Sequence, residues 1–243
     1  GLGIPAEPLF RSGRICDTGT SANCNRGIKA SHGEWIRVIG GDDLIPERAL
    51  EIQIAYISQH DDIRILTGYC VNFKEEDGIM TQLPSPKKID TNPRFYESTA
   101  QEQYQYLLRL YDFGITDGTL IHRSIYRDVT MYDENYSLIE DLPFCLTVTK
   151  AGIKYHYVDT PTMLYRIHDS VVHSNGEKIA NQRIWDIRRR IICDMIKPNI
   201  PWYAILIRKK IIVDNIIYWF IFNVFHNKRS LKSRAILAIL YKL

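Results

Sequence analysis

Gly33-Glu34-Trp35-Ile36-Arg37-Val38-Ile39-Gly40-Gly41-Asp42-Asp43 is the stretch whose reading decides the fold. Trp35 to Ile39 carries the aromatic and β-branched residues that suit a buried strand. Gly40 and Gly41 lack a Cβ, so the backbone there can turn sharply or lie against a ligand. Two adjacent carboxylates then follow, and Leu44 to Leu50 opens a predicted helix with Pro46 in its first turn. That helix runs to about Ser58, with Leu50, Ile54 and Ile57 at helical spacing. Carboxylates presented by glycines at a strand end can seat a hard divalent cation that holds a phosphate ligand. An aspartate ahead of a helix can equally be a cap on free N–H groups. The rest of the chain has to decide between the two.

Outward from that stretch, the chain reads as a mixed α/β protein. Upstream, residues 1 to 15 read as loop, and Asp17 to Ala30 as a loop entering a helix. Downstream, Ile63 to Phe73 alternates as a strand, and Glu75-Glu76-Asp77-Gly78 reads as a hairpin turn or loop. Residues 82 to 94 read as loop. Glu97 to Leu110 is helical, with Tyr104, Leu107, Leu108 and Tyr111 on one face. A loop and strand over Phe113 to Ile121 and a short helix over Ser124 to Val129 follow. Ile139-Glu140-Asp141 then leads into a helix with Pro143 in its first turn and Gly152 as its stop. Ile153 to Val158 and Met163 to Ile167 read as two strands.

Composition narrows the class. With 243 residues, 45% hydrophobic and 24% charged, the chain is long enough for one sizeable core and is not disordered. A net charge of +3 is too small to argue for a nucleic-acid partner. The five cysteines are scattered without a CxxC pair, which speaks against a zinc site or disulfide framework and fits free thiols in a reducing compartment. The opening Gly1-Leu2-Gly3-Ile4-Pro5 shows no basic segment followed by an apolar run and no initiating Met, so it reads as a fragment without a leader.

After Asn175 the character changes. Residues 177 to 196 predict a charged helix, and Ile200 to Phe225 is apolar but broken by Arg208-Lys209-Lys210 and Asp214. The uninterrupted run falls short of the roughly 20 apolar residues that span a bilayer. Flanking basic residues with Trp202, Tyr218 and Trp219 suit a helix lying in a membrane interface. A hydrophobic helix packed on the domain or on a partner would have the same composition. The division expected is a domain over 1–175 and a basic, apolar helical tail over 176–243.

Three groups of residues recur in one order. Gly19-Thr20-Ser21-Ala22-Asn23-Cys24-Asn25-Arg26-Gly27-Ile28 precedes the strand and Asp42-Asp43; Tyr132-Asp133-Glu134 precedes Ile139-Glu140-Asp141; and Tyr165-Arg166-Ile167-His168-Asp169-Ser170 closes the domain. This order resembles the family-2 glycosyltransferases of the GT-A fold over about residues 15 to 175. The resemblance implies a GT-A-like, Rossmann-like mixed sheet flanked by helices. It implies transfer of a sugar from a nucleoside-diphosphate sugar to a glycan or lipid-linked acceptor, with inversion, in cell-surface polysaccharide synthesis. Asp42 matches the second Asp of the family's Asp-x-Asp metal motif and Asp43 the residue after it. Asp141 matches the catalytic base, with Glu140 beside it, and His168 a late histidine near the metal or diphosphate. Two departures stand out. Gly40 occupies the place of the first Asp, and no strand with a Pro-x-Tyr-Asn-type loop precedes Asp17, which leaves the fold incomplete at its N-terminus.

From this follow the expected roles. Asp42, Asp43 and His168 hold Mg²⁺ or Mn²⁺, and Asp141 accepts the acceptor's proton. At a helix N-terminus, Asp141 is expected to be a weakened base. Asn25, Gly41, Asp117, Gly118, Glu140 and Arg166 are candidate substrate-binding residues. A turn alone explains Asp117-Gly118, and a helix start explains Asn25. The tail would keep the protein in the cytoplasm at the inner face of the cell membrane. A non-catalytic, membrane-associated scaffold fragment is the other reading.

Overall fold

The computed structural model describes residues 19–84, 93–111, 118–167 and 178–240, with backbone alone for 237–240. Strands β1 (Trp35–Ile36), β2 (Ile65–Glu76), β3 (Ile79–Gln82), β4 (Leu120–His122) and β5 (His156–Arg166) form one mixed sheet. Its order is β1-β4-β2-β3, with β5 also paired to β2. β5 runs parallel to β2, and the other pairings are antiparallel. The helices are α1 (Gly19–Ala30), α2 (Ala49–Ile57), α3 (Pro93–Glu97), α4 (Ala100–Leu110), α5 (Arg123–Asp128), α6 (Asp141–Lys150), α7 (Gln182–Ile191), α8 (Ile205–Trp219) and α9 (Leu231–Leu240).

Local chemistry explains most of these bounds. The β2–β3 hairpin turns at Asp77 and Gly78, with φ of 52° and 77°, the left-handed pair that such a tight hairpin needs. α4 is fixed by a capping box: Thr99 accepts from the Glu102 N–H, and Glu102 reaches back to the Thr99 N–H. Gly152, at φ +86°, stops α6.

Several expectations change. β1 is two residues long, because its partner β4 begins only at Leu120, after Gly118 turns the chain at φ +67°. The predicted strands at 153–158 and 163–167 are one strand, β5. Pro161, which has no N–H to donate, lies opposite Tyr69, where the β2–β5 register shifts. Gly68 permits that close approach, since a Cβ there would lie 2.4 Å from the Thr160 carbonyl oxygen. Pro46 stays outside α2, its carbonyl closing a turn to the Ala49 N–H at 3.0 Å. Leu50 and Ile54 face outward, 39% and 45% exposed, while Ala49 and Gln53 are the buried residues of α2. Gln53 turns in because Nε2 donates to the carbonyls of Leu66 and Gly118 at 3.3 and 3.1 Å.

The core runs from the sheet into the tail. Ile36, Ile65 and Ile121 of the sheet cluster with Leu107 and Leu108 of α4 and Phe144 of α6. Ile187 and Ile191 of α7, Ile192 and Ile196 of the π-helical turn after it, and Ile211 of α8 belong to the same cluster. Burial of each such side chain contributes roughly 1.5–3 kcal/mol relative to exposure. α7 and α8 therefore share the domain's core. No helix of the described residues is long and apolar enough to cross a membrane.

Candidate functional site

The site is built where the Asp42–Asp43 turn meets the end of β5. The turn is closed by the Asp43 N–H on the Gly40 carbonyl at 3.3 Å. Leu44 and Leu164 then exchange backbone hydrogen bonds at 3.0 and 2.8 Å, which pins the turn to β5. Two residues further along β5, the Arg166 N–H donates to Asp43 Oδ1 at 2.9 Å, and Arg166 Nε donates to the Asp42 carbonyl at 2.8 Å. The same guanidinium pairs with Glu75 and lies 4.8 Å from the Phe73 ring centre. Arg166 thus holds the turn from β5 while Glu75 and Phe73 of β2 hold Arg166.

Gly40 leaves room for both carboxylates to fold back over the turn. A Cβ on it would lie 2.7 Å from Asp43 Oδ2 and 2.9 Å from Asp42 Oδ1, so both side chains fold back over a bare Cα. Gly41 has open space where a Cβ would be. Two hard oxygen donors side by side, one carboxylate oriented by a backbone N–H, fit an ion of the Mg²⁺ or Mn²⁺ class. Such an ion keeps several positions for water and phosphate oxygens. Among the described residues no group of three or more His, Cys, Asp or Glu able to hold an ion is present; Asp42 and Asp43 are two adjacent carboxylates. His168 lies outside the described residues, one position after Ile167, whose N–H donates to the Phe73 carbonyl at 2.8 Å.

Asp141 opens α6, where its Oδ1 accepts from the Leu142 N–H at 2.8 Å. Desolvation dominates this carboxyl and raises its pKa above the ordinary 3.8, while N–H donation from Leu142 opposes the shift. The expectation of a base weakened by the helix N-terminus is therefore reversed. Burial outweighs the local dipole, and the carboxylate is a better proton acceptor than a solvated one. Glu140 precedes it as the N-cap without a side-chain capping bond. Its charge reaches Cys24 of α1, whose thiol is pushed up to about 11, first by burial and second by Glu140.

The remaining candidates divide. Asn25 sits within α1 rather than in a loop, is 4% exposed, and uses its whole carboxamide on the protein. Nδ2 donates to the Tyr132 carbonyl at 2.8 Å and to Glu134 Oε1 at 2.9 Å, and Oδ1 accepts from the Tyr132 N–H at 3.0 Å. It clamps the Tyr132-Asp133-Glu134 loop that leads to Asp141. A cavity of about 380 Å³ opens beside this clamp, bounded by Lys29, Glu134, Phe144 and Met195; of the predicted site residues only Asn25 lines it. Asp117 lies outside the described residues. Gly118 is buried against Thr162, with its carbonyl accepting from Arg37 Nη2 at 3.2 Å and Gln53 Nε2 at 3.1 Å.

Arg37 and Gln53 are the residues that motif reading missed. The Arg37 guanidinium donates to Gln53, to the Gly118 carbonyl and to the Thr162 carbonyl at 3.3 Å, all neutral acceptors. Burial lowers its pKa to about 10, still well above neutrality, so it remains charged. The pair ties β1, α2, β5 and the Gly118 turn together behind the aspartates. The signal was present: a lone arginine inside Trp-Ile-Arg-Val-Ile has no reason to be there as surface.

Comparison with known proteins now bears on this geometry. Residues 9–190 match the family model described as Glycosyltransferase like family 2. No curated protein sequence matches the chain. Among solved structures, residues 1–349 of S. aureus TarS in complex with UDP-GlcNAc align with a TM-score of 0.50 at 14% identity, over 92% of this chain and 60% of that one. The crystal structure of S. aureus TarS 1–349 aligns with a TM-score of 0.48 at 14% identity, over 91% and 58%. The chain thus spans 60% and 58% of the length of these two structures. The likeness is one of fold, the GT-A mixed sheet flanked by helices. With a family model that covers three quarters of its length, and with the Asp42–Asp43 turn and the Glu140–Asp141 helix start inside that span, the chain belongs to the family-2 glycosyltransferases.

Proposed function

We propose that this chain carries the donor-diphosphate seat and the base of an inverting glycosyltransferase, moving a sugar from a nucleoside-diphosphate sugar to a glycan or lipid-linked acceptor in cell-surface polysaccharide synthesis. The observation that supports this most is the Asp42–Asp43 turn, held to β5 by Arg166 and given room by the missing side chain of Gly40. A structural neighbour crystallised with UDP-GlcNAc makes a uridine diphosphate sugar the first donor to test.

In this reading Asp42 and Asp43, with His168, hold a divalent cation, which when bound neutralises charge on the leaving diphosphate. Arg166 keeps both aspartates in place as that charge builds. Asp141 takes the proton from the acceptor hydroxyl, and the C–O bond to the diphosphate breaks as the new glycosidic bond forms on the opposite face. A single displacement with one base inverts the anomeric centre. Glu140 flanks Asp141 on the acceptor side, and the protein works at the inner face of the cell membrane, where lipid-linked acceptors lie. The test is UDP release from UDP-GlcNAc with Mn²⁺ and a panel of acceptors, run on the wild type and on Asp141→Asn. Turnover reduced about 10²–10⁴-fold with UDP binding kept would support the base assignment. Equal turnover would refute it.

A further inference from the structure

α8 is apolar on two opposite faces, and only one of them has a partner among the described residues. Ile211, Asp214, Ile217 and Ile221 recur at three- and four-residue steps and are buried. Asp214 fastens this inner face: its Oδ2 accepts from the Tyr111 hydroxyl at 2.5 Å and lies 4.0 Å from Arg188 of α7. Arg189 adds a second tie, donating to Asn215 Oδ1 at 3.1 Å. The opposite face carries Ile205, Ile212, Ile216 and Trp219, each at least half exposed, with Phe220 beside them. Just before the helix, Trp202 is 82% exposed, and Leu206 in its first turn is 81% exposed. A helix with apolar stripes on both faces belongs between two apolar phases. One of these is the domain core.

The charges indicate the other. Lys209 is exposed on α8, Lys228 and Arg229 follow it exposed, and Lys232 and Arg234 are exposed on α9. Arg208 is tied to the Ile200 and Pro201 carbonyls, Lys210 lies 4.7 Å from the Tyr111 ring centre on the inner side, and the acid of this stretch, Asp214, faces inward. A second copy of the same face would bring these cations against one another. Anionic headgroups would complement them, and tryptophan beside a basic flank is the residue type favoured at a lipid–water boundary. The helix is too short and too charged to span, which leaves it lying in the plane of the surface. We propose that α8, with Trp202 and Tyr203, is an anionic-lipid docking surface, clamped rigidly to the domain through Asp214 and Tyr111. It deepens the membrane placement given above and stands apart from the chemistry, because it needs neither nucleotide nor turnover.

The test is co-sedimentation of the whole chain with vesicles of phosphatidylcholine alone or mixed with phosphatidylglycerol. It would be run on the wild type, on Ile212→Glu/Ile216→Glu and on Lys209→Glu, with circular dichroism confirming that each variant folds. Binding to the phosphatidylglycerol vesicles should fall about tenfold or more in the double variant and several-fold in Lys209→Glu or in high salt. Brominated lipid should quench Trp202 and Trp219 fluorescence in the wild type. Absent binding, equal binding to phosphatidylcholine alone, or a concentration-dependent dimer that the double variant makes monomeric would each overturn the proposal.

Discussion

Arg166 Nε donates to the carbonyl oxygen of Asp42 at 2.8 Å across 124 positions of sequence. That bond joins the last strand of the sheet to the turn that presents the two aspartates. It also ties a basic residue at the end of β5 to the position of the aspartates. Replacing Arg166 by alanine leaves its backbone N–H on Asp43 but removes the bond to Asp42, the ion pair with Glu75 and the packing on Phe73. Affinity for UDP with Mn²⁺ should weaken by about tenfold, since a hydrogen bond to a charged group contributes roughly 1.5–3 kcal/mol. Lysine should not restore it, because one ammonium cannot reproduce the planar fork. Titration calorimetry on the two variants checks this.

The two glycines should respond in opposite ways. Gly40→Ala places a methyl group against both carboxylate ends, which must swing aside, so metal-dependent binding should fall. Gly41→Ala enters open space and should bind nearly as the wild type does. Restoring an aspartate at position 40 should therefore harm this chain even though it restores the usual motif. Mn²⁺ affinity, followed by electron paramagnetic resonance, separates the three.

Asp141 gives a pH signature in stability. Its folded pKa is raised, so the folded state binds more proton than the unfolded one from about pH 3.8 up to the raised value. Stability therefore falls as pH climbs through that window, and the full cost persists at neutrality. Asp141→Asn keeps an acceptor for the Leu142 N–H and carries no charge. It should melt higher than the wild type at pH 7, with the difference shrinking as the pH is lowered through the window. A neutral-pH melting point below that of the wild type would contradict the desolvation account.

Asn25 is a clamp by geometry, so its loss should appear in folding before it appears in binding. Asn25→Ala leaves the Tyr132 N–H and carbonyl without their partner in a buried place, at a cost of about 2–4 kcal/mol. Urea unfolding monitored by circular dichroism should show that drop. Asp shares the acceptor but not the donor and should recover only part of it.

Local signals made much of this fold legible. Asp77-Gly78 announced the hairpin, and Pro143 with Gly152 bracketed α6. The aspartates after Gly40-Gly41 stood out as an ion seat or a helix cap, two readings that the same residue types serve. What was missed depended on contacts between distant segments. Leu50 and Ile54 keep helical spacing, yet Gln53 wins the inner face, because Gly118 and Leu66 offer it carbonyls that an alkyl group would leave unpaired. Arg37 stood in plain sight in an apolar strand, but its purpose depends on Thr162 and Gly118. The tail read as separate because its composition shifts at residue 176, whereas Ile187, Ile191 and Ile196 complete the domain's own core.

The central claim is that Asp42 and Asp43 seat a metal-bound nucleoside diphosphate. The most direct measurement is calorimetric titration of the chain with UDP and with GDP, with and without Mn²⁺, repeated on Asp42→Ala. Binding should require the metal and disappear in Asp42→Ala while the variant's fold is unchanged. Metal-independent binding, or unaltered binding in Asp42→Ala, would contradict it. So would the absence of binding by folded wild-type chain, which would leave the scaffold reading in its place.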